Sequence, residues 1–226
     1  MVDLSLVRPE HLWYIVGLIA TDGNLSKDGR HISLTSKDRS LLLSVRKALQ
    51  IQNKIGKKSR GGESIKKYSV LQIGDRKFYD YLLTLGLTKR KSLTLGELAV
   101  PRNYFHDFFR GVVDGDGSIS QWVHASNGNT QWSLRVVSGS EKFLLWLQKE
   151  IEKSFSIKGR IYSAKRKRKN PLYLLKFGKF AAKLILERCY YKGCLALNRK
   201  LKSSIKCLQS EDGLQKYGNF VSTNYK

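Results

Sequence analysis

Two carboxylates carry the first chemical signal in this chain of 226 residues. Asp22 closes the apolar segment YIVGLIATDG at residues 14–23, and Asp116 closes FFRGVVDGDG at residues 108–117. Helical spacing is expected over residues 10–21 and 104–114, so each acid falls where a helix ends. The macrodipole there is negative and disfavours an anion by a few tenths to about 1 kcal/mol. Two such anions held near one another repel further, and the pair would welcome a divalent cation. Hard Mg²⁺ takes oxygen ligands, keeps several waters and needs only one or two carboxylates plus phosphate oxygens. Asp-Gly is also an ordinary turn pair, in which each carboxylate would simply face water.

Gly17 and Gly111 lie inside these helices, each five residues before its acid. Glycine inside a helix costs up to about 1 kcal/mol relative to alanine, so a close approach of two helix backbones is the expected reason for both. Gly23 and Gly117 are expected to supply the left-handed turn that ends each helix.

The two motifs head an internal repeat. HISLTSKDRSLLLSVRKAL (31–49) aligns with SLRVVSGSEKFLLWLQKEI (133–151), an alternating strand followed by an amphipathic helix with Asp38 or Ser140 as the expected N-cap. KYSVLQIG (67–74) aligns with LYLLKFG (172–178), DRKFYDYLLTLGL (75–87) with KFAAKLILERCY (179–190), and LTKRKSL (87–93) with LALNRKL (195–201). Each half reads helix, two strands, helix, two strands, helix. The boundary is expected near 96–102, dividing the chain into residues 1–97 and 98–226.

With 42 Lys+Arg against 18 Asp+Glu the net charge is +24, which points to a polyanionic partner. Basic residues concentrate at 54–67 and 158–169, between alternating segments, as hairpin tips would require. Cys189, Cys194 and Cys207 form neither a CxxC pair nor an even set, arguing against a disulfide scaffold or zinc site. His11, His31, His106 and His124 lack metal-ligand spacing. Trp13, Trp122, Trp132 and Trp146 are expected in the core or sheets. No apolar run is long enough for a membrane span and no secretory leader is evident, so an intracellular setting is expected, in a bacterial or archaeal cytoplasm or an organelle.

The nonamers IVGLIATDG (15–23) and FRGVVDGDG (109–117) resemble the two motifs of single-chain LAGLIDADG homing endonucleases. The first has Ala20 where the motif carries an acid, but both acids before the closing glycine are present. The resemblance covers nearly the whole chain and implies an α+β fold of two pseudo-symmetric αββαββα repeats. The motif helices would pack at the centre, with two antiparallel four-stranded sheets forming a saddle over double-stranded DNA. It implies a monomer needing no protein partner and cutting both strands of a long, non-palindromic target, leaving short 3′ overhangs. Two to three Mg²⁺ or Mn²⁺ ions would be held by Asp22 and Asp116 with the backbone of Thr21 and Gly115. Lys91 and Lys200 would assist near the scissile phosphates, with Arg90 and Arg199 as adjacent rivals. A general phosphate contact is an equal reading of these lysines. Ser36 and Ser138 would lie near the water network. An intron RNA-splicing maturase or a non-catalytic DNA-binding regulator is the alternative, and neither needs both acids.

Alternation then sorts the strand residues by face. Asn24, Ser26, His31, Ser33, Thr35, Lys66, Tyr68 and Gln72 are expected to face DNA in the first half, with Ser118, Ser120, Ser133, Arg135 and Lys176 in the second. Lys58, Arg60, Arg160 and Tyr162 are candidates from third strands whose register is open. Lys165, Arg166 and Lys167 are expected to hold phosphates at a hairpin tip.

Overall fold

The computed structural model describes residues 1–59, 67–164 and 171–210. The first half runs α1 (Pro9–Thr21), β1 (Gly23–Leu25), β2 (His31–Ser36), α2 (Arg39–Ala48), β3 (Ile55–Lys58), β4 (Tyr68–Gly74) and α3 (Arg76–Thr84). The second repeats the order as α4 (Phe105–Asp116), β5 (Gly117–Val123), β6 (Thr130–Ser138), α5 (Glu141–Phe155), β7 (Arg160–Ala164), β8 (Leu172–Phe177) and α6 (Lys179–Cys189), then adds α7 (Asn198–Gln209). The strands form two antiparallel four-stranded sheets, ordered β1-β2-β4-β3 and β5-β6-β8-β7. The class is α+β. The registers match as well: Gly23 pairs with Leu34, Leu34 with Leu71 and Leu71 with Ile55, just as Gly117, Val136, Leu175 and Ile161 pair in series.

Helix α1 starts at Pro9, whose fixed φ suits a first helical position, and is buried from Leu12 through Ala20. Helix α4 is buried at Phe105 and from Asp107 through Asp114. Helices buried on all sides belong at the centre of a fold, and these two pack on each other. A Cβ on Gly17 would stand 2.1 Å from the Phe108 carbonyl oxygen, and one on Gly111 2.1 Å from the Tyr14 carbonyl oxygen. Only hydrogens fit at this crossing. The sheets pack their inner faces beneath the helices through Leu25, Ile32, Leu34, Leu71 and Ile73 on one side and Trp132, Leu134, Val136, Leu175 and Phe177 on the other.

Several local expectations need correction. Gly117 is extended at φ −86° and ψ 167°, and Gly23 is not among the glycines with positive φ, so neither makes a left-handed turn. Their requirement is steric: a Cβ would stand 2.6 Å from the Ile19 Cα at Gly23 and 2.6 Å from the Val113 carbonyl oxygen at Gly117. Asp38 and Ser140 hold the N-cap positions but make no side-chain cap bond. Ser140 instead donates its hydroxyl to the Leu95 carbonyl at 2.6 Å, tying α5 to the segment between the halves. Asp75 does cap α3, accepting from the Phe78 amide at 3.0 Å. The tryptophans fall in the core or a sheet as expected: Trp13, Trp132 and Trp146 are core residues, and Trp122 lies on β5, 39% exposed. No helix among the described residues is long and apolar enough to cross a membrane.

Candidate active site and nucleic-acid interface

The α1–α4 contact continues to the helix ends. A Cβ on Gly115 would lie 2.0 Å from the Thr21 Oγ1, a hydroxyl that turns back onto the Gly17 and Leu18 carbonyls at 3.1 Å each. Thr21 and Gly115 immediately precede Asp22 and Asp116. The two acids therefore emerge side by side at the end of a close helix pair, and both are exposed.

Two buried lysines stand behind them. Lys91 Nζ donates to the Gly23 carbonyl and lies 3.5 Å from the Thr21 carbonyl. Lys200 Nζ donates to the Val113 carbonyl, to Asp114 O at 2.7 Å, and lies 3.5 Å from Gly115 O. Each ammonium thus occupies the negative end of one central helix, where a cation is favoured. Burial lowers both ammonium pKa values to about 8, against the opposing pull of nearby carboxylates, Asp116 and Asp22 at Lys91 and Asp114 first at Lys200. The adjacent arginines lie elsewhere: Arg90 is exposed with φ +58°, and Arg199 reaches Asp38 at 3.5 Å.

The donor set is one of hard oxygens: two carboxylates and the carbonyls of Thr21 and Gly115, each with a second lone pair beyond its long lysine contact. Among the described residues no group of three or more His, Cys, Asp or Glu side chains forms a cage. A cation held by two acids must complete its shell with water and phosphate oxygens, which is the coordination Mg²⁺ prefers.

Two polar hubs in α4 were not legible as such in the sequence. Asp114 is 2% exposed and accepts from Tyr14 Oη at 2.7 Å, Tyr190 Oη at 2.6 Å and the Leu197 amide at 2.6 Å. Burial raises its pKa against the effect of those bonds. Leu197 is the N-cap of α7, so this carboxylate fixes the helix start that presents Lys200. Arg110, fully buried, binds Asp107 at 2.7 Å and the carbonyls of Cys189 at 2.8 Å and Leu195 at 2.9 Å. The available clue was the repeat itself: Asp114 aligns with Ala20 and Arg110 with Val16, charged residues where the sister helix is apolar.

The outward sheet faces gather most of the expected strand residues. Asn24, Ser26, His31, Ser33, Lys58 and Gln72 line one depression, together with Asp28 and Val70. The hydrogen bond from His31 holds the Asp28 carboxyl well below the usual range, so a fixed anion sits on this face. Thr35 and Tyr68 are half-buried on the same surface, with Lys37 Nζ 5.5 Å from the Tyr68 ring centre. In the second sheet Ser118, Arg135, Lys176 and Arg160 pair in one cross-strand row. Three like charges in a row cost stability, so the row suits an anionic partner. Ser120 is half-buried, and Tyr162 is 45% exposed. Ser133 is a correction: its strand face is the expected one, but it is fully buried and accepts from Arg135 Nε at 3.1 Å, so it can orient the guanidinium but not reach a base. Arg60, Lys66, Lys165, Arg166 and Lys167 lie outside the described residues. Ser138, with Lys91, Ser92 and Asp116, lines a cavity at the helix ends, while Ser36 accepts from the Asp38 amide at 3.1 Å.

Residues 9–90 match the LAGLIDADG-like domain family. Solved structures extend the likeness over both halves. Full-length DUF199/WhiA from Thermatoga maritima is 17% identical with a TM-score of 0.54, covering 94% of this chain. This chain spans 62% of that protein. The homing endonuclease I-WcaI bound to its DNA recognition sequence is 11% identical with a TM-score of 0.58, covering 88% of this chain and 87% of its own. The LAGLIDADG meganuclease I-AabMI bound to uncleaved DNA is 17% identical with a TM-score of 0.56, covering 90% and 91%. No curated protein matches the chain in sequence. The chain has the two-domain LAGLIDADG fold, as its paired motifs implied.

Proposed function

We propose that the chain is a site-specific, divalent-metal-dependent double-strand DNA endonuclease. The observation that carries this reading is the pair Asp22 and Asp116, brought together by the Thr21–Gly115 contact with Lys91 and Lys200 buried behind them. A non-catalytic DNA-binding protein or a splicing maturase on the same fold would need no such pair of carboxylates at its centre.

In this reading residues 1–97 engage one half-site and residues 98–226 the other, so one chain binds one target without a protein partner. Asp22 and Asp116, with the carbonyls of Thr21 and Gly115, would hold Mg²⁺ or Mn²⁺. The metal would supply activation of water and neutralisation of the leaving 3′-oxygen. Lys91 and Lys200, buried behind the two acids, each add positive charge on the side of one scissile phosphate. Outward polar side chains of the two sheets read base edges, and their differing residues suit a non-palindromic target.

The test is cleavage of a randomised duplex library by the purified chain. Recovery of a defined cut sequence with short 3′ overhangs in Mg²⁺, lost in chelator, supports the nuclease. Enrichment of a bound sequence without cutting in Mg²⁺ or Mn²⁺ would assign the fold to DNA binding alone.

A further inference from the structure

The second sheet carries a row of side chains that polar readout does not explain. Val137 pairs with Leu174, and Leu174 with Tyr162. Directly paired residues share a sheet face, and this row lies on the outward one, two residues along each strand from Arg135, Lys176 and Arg160. Tyr162 is 45% exposed, and neither Val137 nor Leu174 packs against the hydrophobic core. The matching row in the first half is Thr35, Val70 and Gly56. One half thus presents a continuous apolar band, and the other a hydroxyl, one valine and no side chain.

The band's position is fixed by register. Val136 pairs with Gly117, the residue after Asp116, so Val137 lies on the Asp116 side of the cationic row. Val137 and Leu172 line the same cavity as Asp116 and Lys91. Outward rows are about 6.8 Å apart along a strand, or about two base-pair steps at about 3.4 Å each.

Taking the DNA reading above as its basis, we propose that the Val137–Leu174–Tyr162 band reads the 5-methyl groups of thymine in the base pairs next to the cleavage centre, in the half-site bound by the second repeat. The thymine methyl is the one apolar group in the major-groove pattern, and apolar side-chain surface, here two aliphatic side chains and the ring of Tyr162, recognises it. The Arg135–Lys176–Arg160 row, about two base pairs further out, suits guanine O6 and N7. The half-site should therefore run from thymine near the centre to guanine outside it, whereas the matching first-sheet row of Thr35, Val70 and Gly56 offers less apolar surface.

The experiment uses the full chain and duplexes recovered by binding selection from a randomised pool under metal-free conditions. Each thymine is replaced in turn by deoxyuridine, which removes only the methyl. Within the inner three or so base pairs of one half-site, loss of a methyl is expected to weaken binding roughly three- to tenfold. Leu174→Ala and Val137→Ala should weaken binding to the thymine duplex by a similar factor and bind the deoxyuridine duplex equally well. Both positions lie off the core, and thermal unfolding checks that the variants remain folded. A recovered site lacking inner thymines, a methyl loss without effect, or a methyl effect unchanged in both variants overturns the proposal while leaving DNA recognition intact. Failure to enrich any duplex overturns the DNA reading itself.

Discussion

Tyr14 and Asp114, one from each central helix, share a buried hydrogen bond of 2.7 Å although their repeat mates share none of its chemistry. Tyr14 aligns with Phe108, and Asp114 with Ala20. The repeat is symmetric in backbone and asymmetric in this polar link, which extends through Leu197 to the helix that carries Lys200. Tyr14→Phe leaves the carboxylate short of one donor and should lower stability by about 1–3 kcal/mol in urea unfolding. Tyr190→Phe should behave alike, since its hydroxyl lies 2.6 Å from the other Asp114 oxygen.

The helix crossing offers a steric test. Gly17→Ala and Gly111→Ala each place a methyl 2.1 Å from a carbonyl oxygen of the opposite backbone. Overpacking of this kind costs about 1–3 kcal/mol, and more where backbone must move. Gly29→Ala, where a Cβ meets nothing but φ is +75°, separates conformational strain from crowding. The two helix variants should unfold at lower urea than the loop variant.

Asp107 sets a pH dependence. Burial alone would push its carboxyl up, but hydrogen bonds from His106 at 3.1 Å and Tyr191 at 2.7 Å, with the Arg110 charge, hold it below its ordinary value. A depressed carboxyl pKa stabilises the fold fully above the unfolded value, about 4, and that contribution is lost as pH falls through the lower folded value. Asp107→Asn should therefore cost about 3–5 kcal/mol at pH 7, as breaking a buried ion pair does. The gap between wild type and variant should narrow as pH falls below about 4. A gap constant from pH 7 to pH 3 would contradict this.

Lys91 and Lys200 should act on separate strands. Lys91→Met or Lys200→Met is expected to slow cleavage by about 10²-fold or more while binding stays within about tenfold. On a supercoiled plasmid each variant should accumulate nicked circles, because one scissile phosphate keeps its ammonium. Equal slowing of both strands by either variant would assign the lysines to holding the helix ends only.

Much of this was legible because its signals are local. The αββαββα order, the glycine crossing and the inward strand faces follow from periodicity and residue size, and each matches the structure. Helix α7 was not read from the sequence, although Leu201, Ile205 and Leu208 recur at helical spacing and Leu201 and Leu208 pack against the core. Its buried residues are Lys200, Ser204 and Cys207, so the apolar stripe is broken by polar groups. The Asp114 and Arg110 hubs depend on partners 76 to 100 residues away, Tyr190, Leu195 and Tyr14 among them, which no local pattern encodes. Ser133 obeyed the alternation and still missed the surface, because alternation gives a face and not what covers it. The third strands needed their registers before Tyr162 could be placed beside Leu174.

The central claim is that Asp22 and Asp116 form one metal-dependent cleavage centre. Wild type, Asp22→Asn and Asp116→Asn are to be compared on one duplex carrying the selected site, with cleavage measured in Mg²⁺ and binding measured in parallel. Both variants are expected to lose double-strand cleavage and to keep specific binding within about tenfold, or about 1.4 kcal/mol. Full cleavage by both variants would contradict the assignment.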